Sequence, residues 1–265
     1  MSNKKKLSIL AGIFIIVGVI GSLLTVRSHG TSPISEEKTV ASKYVSNIQA
    51  ATDNARVHIK PAADDQIRVT LDGKSSSNIK RELTTDVKDS TLLITFKEQQ
   101  LSWFNFHFVD LFFDITIYLP EKQYHSIAVT SDNGYISAEQ LNTDKIQAEA
   151  DNGRIELKQV MAKEVAVQSD NGRISLDHVE GKIKGRTNNG RLSLITEKLD
   201  RNIQLESDNG KIQIETEKEP TNVRFDVSTD NGSIDILHKY QGSTVIGKGE
   251  NLIRLKTNNG RIEIK

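Results

Sequence analysis

SDNGRISL, at residues 169–176, is a pattern that recurs six more times in the second half of the chain. The other copies are SDNGYIS from Ser131, ADNGRIEL from Ala150, TNNGRLSL from Thr187, SDNGKIQI from Ser207, TDNGSIDI from Thr229 and TNNGRIEI from Thr257. Their glycines follow one another at spacings of 19, 19, 18, 20, 22 and 28 residues. A period of this length is typical of stacked repeat arrays.

Apolar and polar side chains alternate on both sides of each tetrad, the four-residue unit that ends in the repeat glycine. In the copy at Ser169, Val165 and Val167 precede the tetrad and Ile174 and Leu176 follow it. Because a period of two is the period of β-strands, each tetrad lies between two strands. Asparagine and glycine both tolerate positive φ, so each pair is predicted to form a tight turn. The predicted turn residues are Asn133, Gly134, Asn152, Gly153, Asn171, Gly172, Asn189, Gly190, Asn209, Gly210, Asn231, Gly232, Asn259 and Gly260.

Two all-β architectures fit this pattern. In an antiparallel β-meander, the two strands that flank each Asn-Gly pair would form a hairpin. In a single-stranded β-solenoid, each strand would pair in parallel with its equivalent one repeat later. The similar spacings favour a solenoid of seven coils of 18–22 residues over residues 127–265, because stacking in register needs coils of similar length. Residues 44–126, with a loose copy of the tetrad at Asp53, are predicted to cap it.

The first 43 residues predict where the protein is located. Residues 7–26 carry no charge, and as a helix they would span about 30 Å, the thickness of a bilayer core. Lys4, Lys5 and Lys6 precede them, so residues 1–6 are predicted to be cytoplasmic and the repeats extracytoplasmic. The length of the apolar run favours an uncleaved, single-pass membrane anchor. Residues 27–43 are polar and are predicted to form a linker.

Composition excludes several classes of function. Lysine plus arginine equal aspartate plus glutamate at 35 each, so no overall field attracts nucleic acid. The chain has no cysteine, which excludes disulfides, thiolate metal sites and a lipoprotein anchor and suits a Gram-positive cell surface. The histidines lack metalloprotease spacing and no G-x-S-x-G motif occurs. We therefore predict a protein that is not an enzyme and that needs no cofactor.

The residue that follows the repeat glycine is basic in five of the seven copies. If the coils stack, these residues form a basic column beside an Asp/Asn column made of the second tetrad residues. The basic column either binds a regular anionic cell-wall polymer such as teichoic acid or peptidoglycan, or is neutralised by the acidic column. An exposed ion pair of that kind contributes about 0–1 kcal/mol. The basic column consists of Arg154, Arg173, Arg191, Lys211 and Arg261.

Calcium binding by the Asp/Asn column is a weaker hypothesis. Aspartates stacked in glycine-rich β-rolls bind this ion through carboxylate oxygens. Here Asn188 and Asn258 interrupt the column, and the adjacent arginines repel a cation. We predict no metal site.

Aromatic residues are concentrated in LSWFNFHFVDLFFD, residues 101–114. Their alternation is typical of a half-buried strand that plugs the end of the core. The same residues could instead contact the membrane interface or a partner protein. An enzymatic alternative uses Asp110 and Asp114 beside Trp103 as the carboxylate pair of a polysaccharide-cleaving β-helix. The candidate contact residues are Trp103, Phe104, Phe106 and Phe108.

The tetrads, the Y-L-P sequence at residues 118–120 and the strands from Tyr44 onward resemble the bacterial putative-adhesin family of β-strand repeats, whose function is unknown. The resemblance covers residues 44–265. Together with the predicted anchor, it implies a binding or scaffold protein of the cell envelope, associated with the envelope stress response. Its partners would be the membrane and either a wall polymer or another envelope protein. The alternative is a regulatory membrane protein that modulates a sensor kinase through its membrane helix.

Overall fold

The computed structural model describes residues 32–75, 79–100 and 113–265. Within them the protein is all-β apart from one 3-10 turn at Ser42–Tyr44. No helix in these ranges is long and apolar enough to cross a membrane, and residues 7–26 lie outside them. The strands are β1 (Ser32–Ala41), β2 (Asn47–Thr52), β3 (Arg56–Pro61), β4 (Gln66–Ser75), β5 (Ile79–Lys88), β6 (Thr91–Gln100), β7 (Phe113–Leu119), β8 (Gln123–Ser131), β9 (Tyr135–Asp177), β10 (Glu180–Thr196), β11 (Ile203–Thr216), β12 (Val223–Ile236), β13 (Thr244–Ile246) and β14 (Asn251–Ile264).

Neighbouring repeats pair in parallel and in register. In β10, Asn189 lies opposite Asn171 of β9 on one side and opposite Asn209 of β11 on the other. β8 likewise pairs in parallel with residues 142–150 of β9. The predicted solenoid-like stacking is therefore confirmed for the repeats, and the antiparallel meander is wrong for them.

The last two repeats are stacked in the reverse of their sequence order. β14 lies between β11 and β12, so that Asn259 opposes Asn209 on one side and Asn231 on the other. The expectation that each coil stacks on the one that precedes it in sequence is wrong here. The long spacing before the last glycine provides the chain for this path. After β12 the chain turns back as β13, pairs antiparallel with residues 223–225, and then forms β14.

The stack extends toward the N-terminus beyond the full tetrads. β2 and β3 form a further coil, since β3 pairs in parallel with β9 and β2 pairs in parallel with β8. On their other side, β6 and β7 pair in parallel with β2 and β3. β5 and β4 then pair antiparallel with β6 and β7. The parallel stack thus ends in antiparallel strands at this end, where β1 and β5 are the edge strands.

Residues 32–41 differ from the linker that was predicted for residues 27–43. They form β1, which pairs antiparallel with β4 along all 10 residues. Ile34 and Val40 pack against the core, and Lys38 Nζ donates to the carbonyl oxygen of Leu83 at 2.6 Å. These contacts with distant residues outweigh the polar composition of the segment.

The core lies between the strand that precedes each tetrad and the strand that follows it. In the coil of Gly190, Ile183 lies on the first strand and Leu192 and Leu194 on the second, and all three are buried. Leu199 closes the coil from the connection to the next one. Burial of each such side chain contributes about 1.5–3 kcal/mol, so stacked aliphatic residues form the core with few aromatic rings.

A second recurring bend closes three of the coils. Gln140, Gln159 and His178 have φ values of 55°, 52° and 52°, and each immediately precedes a buried aliphatic residue of the connection. A left-handed conformation is uncommon for residues other than glycine. The sequence pattern did not predict this bend because no glycine or asparagine marks it.

Candidate functional site

The tetrads do not have the positive-φ turn geometry that was predicted for their Asn-Gly pairs. None of the tetrad asparagines has a positive φ, and Gly190 and Gly210 have φ values of 159°, at the edge of the extended region. β9 runs through two tetrads without interruption. Each tetrad is therefore a bend in an extended chain, and the predicted conformation is corrected accordingly.

Glycine is required in the tetrad because neighbouring coils approach too closely for a side chain. A Cβ atom on Gly172 would lie 1.8 Å from the carbonyl oxygen of Gly153, and one on Gly190 would lie 1.7 Å from that of Gly172. Real Cβ contacts are almost never shorter than 3.0 Å. The glycines therefore permit close approach of two backbones.

The third tetrad residue forms an asparagine ladder along the stack. Each asparagine donates Nδ2–H to Oδ1 of the asparagine in the next coil toward the cap, at 2.8–3.0 Å. The ladder ends at Asn54, which donates to Glu98 Oε1 at 2.7 Å. Because all the amides point the same way, each bond polarises the next. In stack order the ladder is Asn54, Asn133, Asn152, Asn171, Asn189, Asn209, Asn259 and Asn231.

The first tetrad residue points into the core. Ser169, Thr187 and Ser207 are buried, and their hydroxyl groups have no hydrogen-bond partner in the part of the chain that the structure describes. Ala150 takes the same place in another coil. The position therefore requires a small side chain and does not require a hydroxyl.

Thr187→Val is expected to raise the free energy of unfolding by about 1 kcal/mol, because it removes a buried hydroxyl that has no partner. Thr257→Val is the matched control, since the Thr257 hydroxyl is equally buried and donates to the carbonyl oxygen of Gly210 at 3.4 Å. We expect no gain from the control. Denaturant unfolding of both variants measures the difference. A loss of stability in Thr187→Val would contradict the conclusion that the Thr187 hydroxyl has no hydrogen-bond partner.

The reversed order of the last two coils makes the basic column continuous. Arg173 opposes Arg191, Arg191 opposes Lys211, and Arg261 opposes Ser233 at the end of the stack. If the coils followed their sequence order, Ser233 would separate Lys211 from Arg261. In stack order the position is occupied by Tyr135, Arg154, Arg173, Arg191, Lys211, Arg261 and Ser233.

The central members of the basic column carry uncompensated charge. The guanidinium groups of Arg154, Arg173 and Arg191 are exposed and form no hydrogen bond or ion pair within residues 32–75, 79–100 and 113–265. Lys211 pairs with Glu263 and holds the pKa of that carboxyl below its usual value through a hydrogen bond. Like charges on neighbouring strands repel each other, so an anion that lies across the column would relieve this repulsion.

The Asp/Asn column lies on the other side of the asparagine ladder and does not neutralise the basic column. Asn188 donates to Asp170 Oδ1 at 3.0 Å, and Asp208 Oδ2 lies 3.7 Å from a guanidinium nitrogen of Arg186 on the strand before the tetrad. No ion pair joins the two columns among the described residues. The mutual neutralisation that the sequence allowed is therefore not observed.

An open groove of about 720 Å³ runs along the basic column. Its floor includes backbone of three tetrad glycines, which have no side chains to fill it. The volume lies in the range of known ligand sites, and the open shape suits an extended ligand. The groove is lined by Gly153, Arg154, Gly172, Arg173, Asn189, Gly190, Arg191 and Lys211.

The candidate aromatic contacts Trp103, Phe104, Phe106 and Phe108 lie outside the described residues, as does Asp110. Phe113, from the same segment, is buried, and its ring centroid lies 5.1 Å from that of Phe96.

Asp114, one of the two carboxylates of the enzymatic alternative, lies near two basic side chains. Its Oδ1 is 3.7 Å from a guanidinium nitrogen of Arg56 and 3.5 Å from His58 Nε2. Asp114 is also the register partner of Arg56, which places it on the same face as the basic column.

Comparison with known proteins identifies one family. The model of the family described as Toastrack DUF4097 matches residues 45–182 and again residues 140–265. The two matches overlap and together cover the chain from the first coil to the C-terminus. No curated protein matches this chain.

Solved structures similar to this chain include proteins named as adhesins. A "putative cell adhesion protein" from Clostridium sporogenes is 16% identical, with 88% of this chain and 99% of that chain covered and a TM-score of 0.43. A "putative adhesin" from Bacteroides fragilis is 13% identical, with 88% and 97% covered and a TM-score of 0.44. Another from Parabacteroides distasonis is 14% identical, with 88% and 97% covered and a TM-score of 0.38.

Proposed function

This chain belongs to the Toastrack DUF4097 family, and we propose that it is a non-enzymatic binding module whose basic column holds an anionic polymer of the cell envelope. The proposal rests on the continuity of the basic column. Consecutive coils place five basic residues at one position, and the three arginines at 154, 173 and 191 have no partner among the described residues.

A polymer fits this column better than a small anion does. The basic side chains recur at the strand spacing of about 4.8 Å, so a chain with regularly repeated phosphate or carboxylate groups can meet several of them at once. Each such contact adds about 1 kcal/mol, and linked contacts reinforce one another. The parallel strands and the asparagine ladder hold the column rigid, which lowers the entropy lost on binding.

The proposed location is the outer face of the cell membrane. It rests on residues 7–26 as an uncleaved anchor and on the three lysines before them. An extracytoplasmic rod would bring the basic column within reach of wall polymers that carry phosphate groups. The association with the envelope stress response belongs to the same proposal and rests on the family resemblance.

The test replaces Arg154, Arg173 and Arg191 with glutamine in the full-length protein. Loss of three contacts of about 1 kcal/mol each is expected to raise the Kd for purified cell wall with its teichoic acid by about 100-fold. Co-sedimentation with the wall measures the Kd. Glutamine keeps much of the aliphatic stem, so the packing of the column is retained.

The matched control replaces Lys145, Lys182 and Lys184 with glutamine. These lysines are exposed on the strands before the tetrads and form no ion pair within the described ranges, so the variant loses the same net charge from another face. Its Kd is expected to change less than about twofold, because only contact with the column supplies the larger loss. Equal weakening in both variants, or unchanged binding after the arginine substitutions, would contradict the proposal.

A further inference from the structure

Tyr135 stands at the head of the basic column, where five later coils carry arginine or lysine. Its register partner on the cap side is Arg56, which lies near Asp114. On the other side the next residue of the column is Arg154, which is exposed. An aromatic ring therefore occupies one end of the column, next to the five basic residues.

Two contacts hold the Tyr135 ring in place. Its hydroxyl donates to Glu156 Oε2 at 2.8 Å, and the His58 ring packs edge-on against it with centroids 5.5 Å apart and an interplanar angle of 62°. Burial and the hydrogen bond to Glu156 raise the pKa of Tyr135 to about 12, so the phenol stays protonated at neutral pH. The ring is half-buried and is fixed before any ligand arrives.

The groups around this ring suit sugar hydroxyls better than phosphate. His58 Nδ1 and Ser137 Oγ are 2.8 Å apart, and Ser137 and Glu156 are both half-buried beside Tyr135. A hydroxyl of a ligand can donate to the Glu156 carboxylate or bond with Ser137. Glu156 would repel an anionic group placed at the ring itself, whereas the exposed Arg154 would attract that group to the next position of the column. The ring contributes an apolar, polarisable surface.

We propose that Tyr135, with Ser137 and Glu156, forms a saccharide subsite at the head of the basic column. The inference rests on the proposed function and narrows it. The ligand is a polyanion that contains sugar units, with a sugar at Tyr135 and its anionic groups along the arginines, and is not a bare chain of phosphates.

The test compares two polymers and the variant Tyr135→Arg in the full-length protein. Polygalacturonate supplies a carboxylate on each sugar ring, and linear polyphosphate supplies charge without sugar. Arginine is the residue that four other coils carry at this position, so the variant is expected to fold. The ratio of the Kd for polygalacturonate to the Kd for polyphosphate is expected to rise about tenfold, because the ring is lost while a charge is gained.

Tyr44→Arg is the control, since it exchanges an exposed tyrosine outside the basic column for the same charge. Its Kd ratio is expected to stay within about twofold of the wild-type ratio, because the added charge lies away from the proposed subsite. The inference is overturned if Tyr135→Arg tightens the binding of both polymers equally, or if the wild-type protein binds polyphosphate and not polygalacturonate. Failure of the wild-type protein to bind either polymer would instead overturn the proposed function.

Discussion

Gly172→Ala is expected to lower the free energy of unfolding by about 4 kcal/mol or more, or to prevent folding of the rod. The new Cβ atom would lie 1.8 Å from the carbonyl oxygen of Gly153 and 2.8 Å from Ser169 Oγ. The carbonyl belongs to the backbone of the neighbouring coil, and Ser169 is buried. This carbonyl oxygen cannot move away unless the coils separate, which would break the bond between Asn171 and Asn152 in the ladder.

Gly242→Ala is the control for this substitution. A Cβ atom on Gly242 would meet no atom within 4 Å, so its stability is expected to stay within about 0.5 kcal/mol of the wild type. Guanidinium unfolding of both variants gives the comparison. The sign of the effect separates two explanations of the glycine. Gly172 has no positive φ, so without the clash alanine would stabilise the fold by about 0.4–1 kcal/mol, because it restricts the unfolded chain. Unchanged or increased stability of Gly172→Ala would therefore contradict the close-approach explanation.

Ala55 shows that the coil of β2 and β3 does not need glycine at the position where the tetrads have it. It occupies the glycine position in the coil of β2 and β3. A Cβ atom added to any tetrad glycine would clash with the carbonyl oxygen of its neighbour toward the cap. On Gly134, for example, it would lie 2.3 Å from the carbonyl oxygen of Ala55. On its own cap side Ala55 has no tetrad, because β6 and β7 carry none. A side chain is therefore permitted only in the first coil.

The regular part of the fold was predictable from the sequence because its cause is local. Alternating apolar residues at 165, 167, 174 and 176 require strands, and similar spacings favour parallel stacking in register. The order of the last coils was not predictable, because any tetrad can stack on any other with the same contacts. β1 was missed because its strand structure comes from pairing with β4, 25 to 43 residues later in sequence along their register.

The candidate site was likewise predictable only where its residues follow from local sequence. The members of the basic column follow from one fixed offset after each glycine. The absence of ion pairs at Arg154, Arg173 and Arg191 among the described residues does not, because the aspartates three residues earlier lie across the asparagine ladder. The subsite at Tyr135 depends on His58, which precedes Ser137 by 79 residues. The constancy of the third tetrad residue could have indicated the ladder, since aspartate or glycine would also serve in a turn.

Paired cysteine substitutions are expected to reveal the order of the last three coils in one experiment, because the chain has no cysteine of its own. Gln213 and Glu263 are register partners, with Cα atoms about 4.8 Å apart, which lies in the range that a disulfide spans. Gln213→Cys with Glu263→Cys is therefore expected to oxidise almost completely. Gln213→Cys with Asp235→Cys is expected to stay reduced, because two strand spacings, about 10 Å, separate these residues.

Asp235→Cys with Glu263→Cys serves as the positive control, since these residues are neighbours in the structure and would also be neighbours if the coils followed sequence order. Non-reducing electrophoresis after mild oxidation measures each bond. A crosslink between positions 213 and 235, with none between 213 and 263, would establish sequence order. Ser233 would then separate Arg261 from the other four basic residues of the column. A polymer could no longer contact five basic side chains in succession. The electrophoresis therefore tests the premise of the proposed binding surface independently of any ligand.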